Sequence, residues 1–212
     1  RKNRNDPYFT KILPSKIANF VVRKFTNSKI LDHGCSLKIF DKSMIDINDF
    51  FGDFHRLFAA QISKDIEVID SFFSSKLIKN RLKEKKAKVI TSFAMFYDLD
   101  SPLIFAKQIA EILDKNSGIW VLEQSYLPEM LKKLSFDTVC HEHLEYYSLI
   151  QIDWIMKKAE LRIIDVEFNN VNGGSFAVTV CHKHSKLKPT PLKILKILQH
   201  EKNIGLLNLK IF

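Results

Sequence analysis

Between Cys140 and Tyr147 the chain reads Cys-His-Glu-His-Leu-Glu-Tyr-Tyr, which places two imidazoles, two carboxylates and two phenols within eight residues. Histidine takes up a proton near neutral pH, and a neighbouring carboxylate can orient the ring and stabilise its charged form. The chemistry on offer is proton abstraction by a general base, with His141, Glu142 and His143 at its centre. A polar loop whose histidines are merely satisfied has the same composition, and the residue types leave both readings open. A zinc reading arises because Cys140–His143 is echoed by Cys181-His182-Lys183-His184, and two cysteines with two histidines can bind zinc tetrahedrally. The spacing argues against it: there is no C-x-x-C or H-x-x-x-H pair, and His141 with Glu145 does not form an H-E-x-x-H helix face. No metal is expected, and Cys181–His184 reads as the exposed end of a strand.

Two further groups can bind a ligand. Asp32-His33-Gly34-Cys35 sets an acidic residue and a glycine behind a short β-prone run, where a nucleotide-binding α/β fold makes its first turn and lets the backbone approach the ligand. Asp46 and Asp70 each follow an apolar run and can accept hydrogen bonds from ribose hydroxyls or adenine; solvated strand ends are the alternative. Asn172-Gly173-Gly174-Ser175 separates two β-rich runs, and turn formation alone accounts for it.

The elements that must position these residues follow from the apolar spacing. Helices are predicted over 15–25, 50–60, 74–86, 102–113 and 150–159, with strands over 29–32, 44–47, 66–69, 88–92, 119–123, 161–168 and 175–181. A turn at Asn116-Ser117-Gly118 precedes the strand at Ile119, and the last two strands form a hairpin. Strands alternating with helices and ending in a hairpin describe an α/β fold: a mostly parallel, doubly wound sheet with an antiparallel C-terminal edge, its ligands beyond the carboxyl ends of the strands.

The bulk properties narrow the function class. At 212 residues, with 46% apolar and 27% charged residues, the chain suits one soluble globular domain. No apolar run approaches the roughly 18 residues of a membrane span. Arg1–Asp6 is polar without a following apolar h-region, and three scattered cysteines frame no disulfide scaffold, so a reducing, cytoplasmic setting is expected. The net charge of +9 comes from 33 Lys and Arg spread along the chain, with no basic arm bearing aromatic residues, so nucleic acid is not the expected partner. Residues 1–28 read as a polar segment with a helix, 29–185 as the main domain, and 186–212 as a tail that begins a further domain.

Four stretches carry a resemblance: Val89–Pro102 (VITSFAMFYDLDSP), Gly118–Pro128 (GIWVLEQSYLP), Phe136–Leu149 (FDTVCHEHLEYYSL) and Asn170–Phe176 (NVNGGSF). Their order and spacing resemble the class I, Rossmann-like methyltransferases that add carbon-bound methyl groups to nucleotide-linked deoxysugars, over about 29–181. The resemblance implies S-adenosylmethionine as cofactor and a nucleotide-linked keto-deoxysugar as the small-molecule substrate. It further implies removal of a proton beside a ketone and attack of the resulting enolate on the sulfonium methyl. His143 would be the base or its partner, and Glu142 its orienting group. Tyr126, His141, Tyr146, Asn172 and Ser175 would line the sugar site, and Asp32, Gly34, Asp46, Asp70, Phe93 and Ala94 would lie at the cofactor. The chain departs from that pattern after Gly34-Cys35, where Ser36-Leu37-Lys38 replaces a second glycine and acid, and only about a dozen residues reach Ile47, short for a helical crossover. The family's cysteine-rich front segment and rear α/β domain have no counterpart in the sequence. A truncated, inactive remnant of the fold is therefore the alternative expectation.

Overall fold

The computed structural model describes residues 37–40, 69, 71–83 and 85–207. The chain divides into two compact units, one of Arg1–Cys35 with Ser43–Phe72 and one of Ser36–Lys42 with Phe73–Phe212. The second carries all the described helices and strands. The elements expected at 15–25, 29–32, 44–47 and 50–60, almost all of 66–69, and with them Asp32, Gly34, Asp46 and Asp70, lie outside the described residues.

Five strands form one sheet: β1 (Leu37–Phe40), β2 (Val89–Phe93), β3 (Ile119–Ser125), β4 (Leu161–Asn169) and β5 (Ser175–His182), in the order β1-β2-β3-β5-β4. Only β2 and β3 pair in parallel, from Val89 opposite Ile119 to Phe93 opposite Glu123; the other three pairings are antiparallel. The expectation of a mostly parallel sheet is corrected for the described strands. The parallel pair needs a crossover, which the helix α2 (Pro102–Ile112) supplies, whereas the hairpin of β4 and β5 returns the chain so that β5 docks on β3 in the opposite sense.

Along β3 the side chains alternate with the pleat: Trp120, Leu122 and Gln124 are buried and the residues between them half-buried. The buried face continues across the register into Ile90 on β2, into Phe176, Val178 and Val180 on β5, and into Val166 on β4. It shares one core with Phe105, Ala106, Ile109 and Ile112 of α2 and with Leu149, Ile152, Ile155 and Met156 of α4 (Leu149–Lys158). Trp120 sits at its centre, fully buried, with Nε1–H donating to Ser92 Oγ at 2.9 Å and the Phe96 and Phe105 rings 5.7 and 6.1 Å away. The indole's bulk is thereby buried without leaving its donor unpaired.

Helix boundaries follow local chemistry. In α1 (Ser75–Leu82), Ser74 Oγ accepts from the Leu77 N–H at 3.2 Å, and the helix stops at Lys83, φ 56°, short of the 74–86 expected. α3 (Leu127–Lys133), unexpected from the sequence, has Pro128 in its first turn and ends on Leu134 in the left-handed region. α5 (Pro191–Asn203) packs against β4 and α4, and Ile194, Ile197 and Leu198 lie against the core. Its start is tied to β4, because the Thr190 N–H and Oγ1 both donate to the Ile164 carbonyl, at 2.8 and 3.1 Å. The segment expected as a separate tail from 186 is thus, through α5, part of the same unit as β2–β5. No described helix is long and apolar enough to cross a membrane.

Candidate active site

The chain leaves β3 at Ser125, turns through α3, makes a short 3-10 turn at Phe136–Thr138 and then runs irregularly to the start of α4. This irregular run contains the His141–Tyr147 cluster. Its backbone is pinned from outside: the Leu144 and Glu145 N–H groups both donate to the Tyr97 carbonyl, at 3.0 and 3.1 Å, and the Leu127 N–H donates to the Tyr147 carbonyl at 2.9 Å. Between the run and the end of β3 lies a small cleft, partly open to solvent. Tyr97, Ser125, Met130 and Thr138 line one part of it, and His143, Glu145, Tyr146 and Tyr147 the rest.

His143 is the half-buried imidazole of this cleft. Its Nδ1 lies 2.8 Å from the Thr138 carbonyl oxygen, and its ring packs on Tyr97 with centroids 4.3 Å apart. A carbonyl oxygen only accepts, so Nδ1 must carry the hydrogen and donate it. In the neutral ring this leaves the Nε2 lone pair as the basic site, the state a general base requires.

The remaining candidates divide by position. Tyr146 lines the same cleft, while His141 and Glu142 are exposed, and no described hydrogen bond joins Glu142 to His143. The group orienting the imidazole is the Thr138 backbone carbonyl. Tyr126 is buried with its hydroxyl donating to Glu201 Oε1 at 2.8 Å, and burial, reinforced by that carboxylate, pushes its pKa upward. Ser175 is buried and donates to the Val171 carbonyl at 2.9 Å, closing the turn in which Asn172 is exposed at φ 51°. Gly174 in that turn has φ 136°, and a Cβ there would lie 2.9 Å from Glu129 Cβ, so the loop rests on α3 by virtue of its glycine. Phe93 ends β2, and Ala94 behind it takes φ 49° while its N–H donates to the Glu123 carbonyl at 2.9 Å. Cys140 is exposed and Cys181 buried; among the described residues no group of three His, Cys, Asp or Glu side chains converges to hold a metal.

Several contributors escape the sequence reading. Tyr97 supplies both the ring under His143 and the carbonyl that pins its segment; burial first, then the charges of Asp98 and Cys140, push its phenol up to about 12. It lies inside the first resemblance motif, which was the one available signal. Tyr147 is buried, and its hydroxyl has no hydrogen-bond partner among the described residues; burial first, then Glu145, raises its pKa. Both phenols are therefore neutral donors at pH 7. Glu123, at the carboxyl end of β3, is half-buried, accepts from Asn169 Nδ2 at 3.0 Å, and has its pKa raised by burial more than that bond lowers it. The backbone carbonyl at Thr138 leaves no trace in residue types.

Comparison with known proteins bears on the whole domain. C-methyltransferase NovU of Streptomyces niveus is 41% identical over 61 residues, 29% of this chain and 14% of that protein. Dodecaprenyl-phosphate galacturonate synthase of Rhizobium johnstonii is 30% identical over 110 residues, 50% of this chain and 32% of that protein. The matched stretches thus span a third or less of either relative. Among solved structures, the O-methyltransferase NcsB1 from neocarzinostatin biosynthesis superposes with a TM-score of 0.35 at 14% identity, covering 47% of this chain and 30% of that one. Magnesium protoporphyrin IX methyltransferase from Synechocystis PCC 6803 gives a TM-score of 0.36 at 10% identity, covering 46% of each chain. The family model described as a methyltransferase domain matches residues 8–166, well over half of the chain, and the chain accordingly belongs to the methyltransferase-domain family.

Proposed function

We propose that this chain is an S-adenosylmethionine-dependent methyltransferase that methylates carbon next to a ketone, with a nucleotide-linked keto-deoxysugar as substrate class and His143 as base. One observation carries the reading: an imidazole faces the cleft with Nδ1 committed to the Thr138 carbonyl, so that Nε2 is left to take a proton. Membership of the methyltransferase-domain family supports the reaction class, and the C-methyltransferase name of one relative supports carbon as acceptor.

When bound, S-adenosylmethionine supplies an electrophilic methyl group whose sulfonium charge is lost on transfer. The Phe93–Ala94 turn is the cofactor contact proposed among the described residues; it lies at the carboxyl end of the parallel pair, where α/β sheets bind ligands. The chain's own share of the chemistry is proton handling. His143 Nε2 accepts the hydron from the carbon beside the ketone, and the Thr138 carbonyl keeps the ring from turning as its charge develops. The negative charge passes to the ketone oxygen, and the Tyr147 hydroxyl, without a partner among the described residues, is proposed to donate a hydrogen bond to it. Tyr146 and His141 are proposed to contact the sugar.

Titration calorimetry with S-adenosylmethionine and its demethylated product tests the proposal. Binding is expected, and no heat at millimolar ligand would reject the active enzyme in favour of an inactive remnant. His143→Ala should abolish transfer with cofactor affinity retained, and equal loss of both would reject the base assignment. Tyr147→Phe should leave the fold at least as stable, because a buried unpaired hydroxyl is removed, while slowing transfer.

A further inference from the structure

We propose that Glu201 is a positioning residue for this site, holding the His143 segment from the C-terminal helix; the inference rests on His143 being the base. Glu201 is the one buried residue of α5, and its exposure is 0%. Helices that pack only for stability bury apolar side chains, and a carboxylate taken out of water is costly unless its oxygens are hydrogen-bonded.

Here both oxygens are used. Oε1 accepts from the Tyr126 hydroxyl and from the Leu149 N–H, each at 2.8 Å, and Oε2 accepts from the Ile150 N–H at 2.8 Å. Leu149 and Ile150 open α4, where the first N–H groups have no partner inside the helix and the helix dipole favours a negative charge. The helix's own start supplies part of that service, because Ser148 and Gln151 form a capping box. The Leu149 and Ile150 N–H groups are met instead by a residue 52 and 51 positions further on.

The consequence lies in what is joined. Tyr126 and Leu127 form the junction of β3 and α3, and both are tied to the far end of the His143 run: Leu127 through its N–H to the Tyr147 carbonyl, Tyr126 through Glu201. With the Tyr97 carbonyl holding Leu144 and Glu145, the run is held just after His143 and again at its C-terminal end. A reacting group must be held within about half an ångström of its working position, and a loop achieves this only through such supports. Glu201 lies beyond residue 166, the last position of the family match, so family membership does not assign this role.

The test uses the full chain and the histidine-ring carbon–proton NMR spectrum, with the His143 cross-peak identified by its absence in His143→Gln. Glu201→Gln puts an amide donor where an oxygen now accepts, and the His143 peak should move or broaden. Gln199→Ala, an exposed change on the same helix, should leave it in place. Where transfer is measured, kcat should fall roughly ten- to a hundredfold with KM for S-adenosylmethionine unchanged, as expected for a displaced base. An unmoved His143 peak in folded Glu201→Gln overturns the proposal. If that variant does not fold, Tyr126→Phe decides: it removes one donor and leaves the α4 N–H groups satisfied, so a smaller movement of the peak is expected and none overturns it. Because the peak is read without turnover, failure to bind S-adenosylmethionine would reject the functional reading separately.

Discussion

Residue by residue, the site rests on a backbone atom. The Thr138 carbonyl decides which nitrogen of His143 is basic, and any residue type at 138 supplies such a carbonyl. This is why the imidazole was visible in the sequence and its partner was not. Adjacent in sequence, Glu142 was the natural orienting group, yet its side chain is exposed. Beneath the imidazole, burial holds the Tyr97 phenol at about 12, above its ordinary 10.0. A group whose folded pKa is raised contributes stability below its unfolded pKa, and that contribution is lost as the pH rises through the folded value. Chemical denaturation should therefore show stability falling between pH 10 and 12. Tyr97→Phe should remove about 2 kcal/mol of that fall, on the order expected for such a shift. Tyr126 and Tyr147, raised by the same first cause, keep the remainder.

The elements divide by how local their causes are. α2, β3, α4, β4 and β5 lie within a residue or two of their expected bounds, because apolar period, proline at the first turn and glycine turns act over a few neighbours. β1 and α3 are four and seven residues long, too short for a period to register. The turn ahead of β3 shows a local cause at full strength. Asp114 Oδ1 accepts from the Asn116 and Ser117 N–H groups at 3.1 and 2.9 Å, while Lys88 pairs with Oδ2 at 2.8 Å. Gly118 closes this turn so tightly that a Cβ would lie 2.5 Å from the Asp114 carbonyl oxygen and 2.7 Å from its nitrogen. Gly118→Ala should cost about 2 kcal/mol through forced backbone movement. In a thermal melt that is a drop of roughly 4–8 °C, and an unchanged melting temperature would show that the turn yields freely.

For the whole molecule, α5 belongs to the same unit as β2–β5. Ending the chain after Lys188 would strip Ile194, Ile197 and Leu198 from the core and leave three donors, Tyr126 Oη and the Leu149 and Ile150 N–H groups, without Glu201. Each buried donor left unpaired costs about 1–3 kcal/mol, against a total stability of about 5–15 kcal/mol for a domain of this kind. The shortened chain should lose its cooperative unfolding transition and bind a hydrophobic dye, as followed by circular dichroism and fluorescence. A sharp transition near that of the full chain would show α5 to be dispensable.

The sequence by itself determined the α/β alternation, carried the methyltransferase resemblance in four ordered motifs, and singled out His143 as the residue to examine, since residue type and short-range order encode all three. Tertiary structure alone decided the antiparallel majority of the described pairings, the tautomer of His143 and the burial of Glu201 beneath the start of α4. Strand sense depends on which distant segments meet, and hydrogen bonds to backbone carbonyls and helix N-termini form between groups that every residue carries. The Cys140–Tyr147 cluster accordingly supplies the imidazole proposed as base, whereas Tyr97, Thr138 and Glu201, from three other elements, hold its segment and ring.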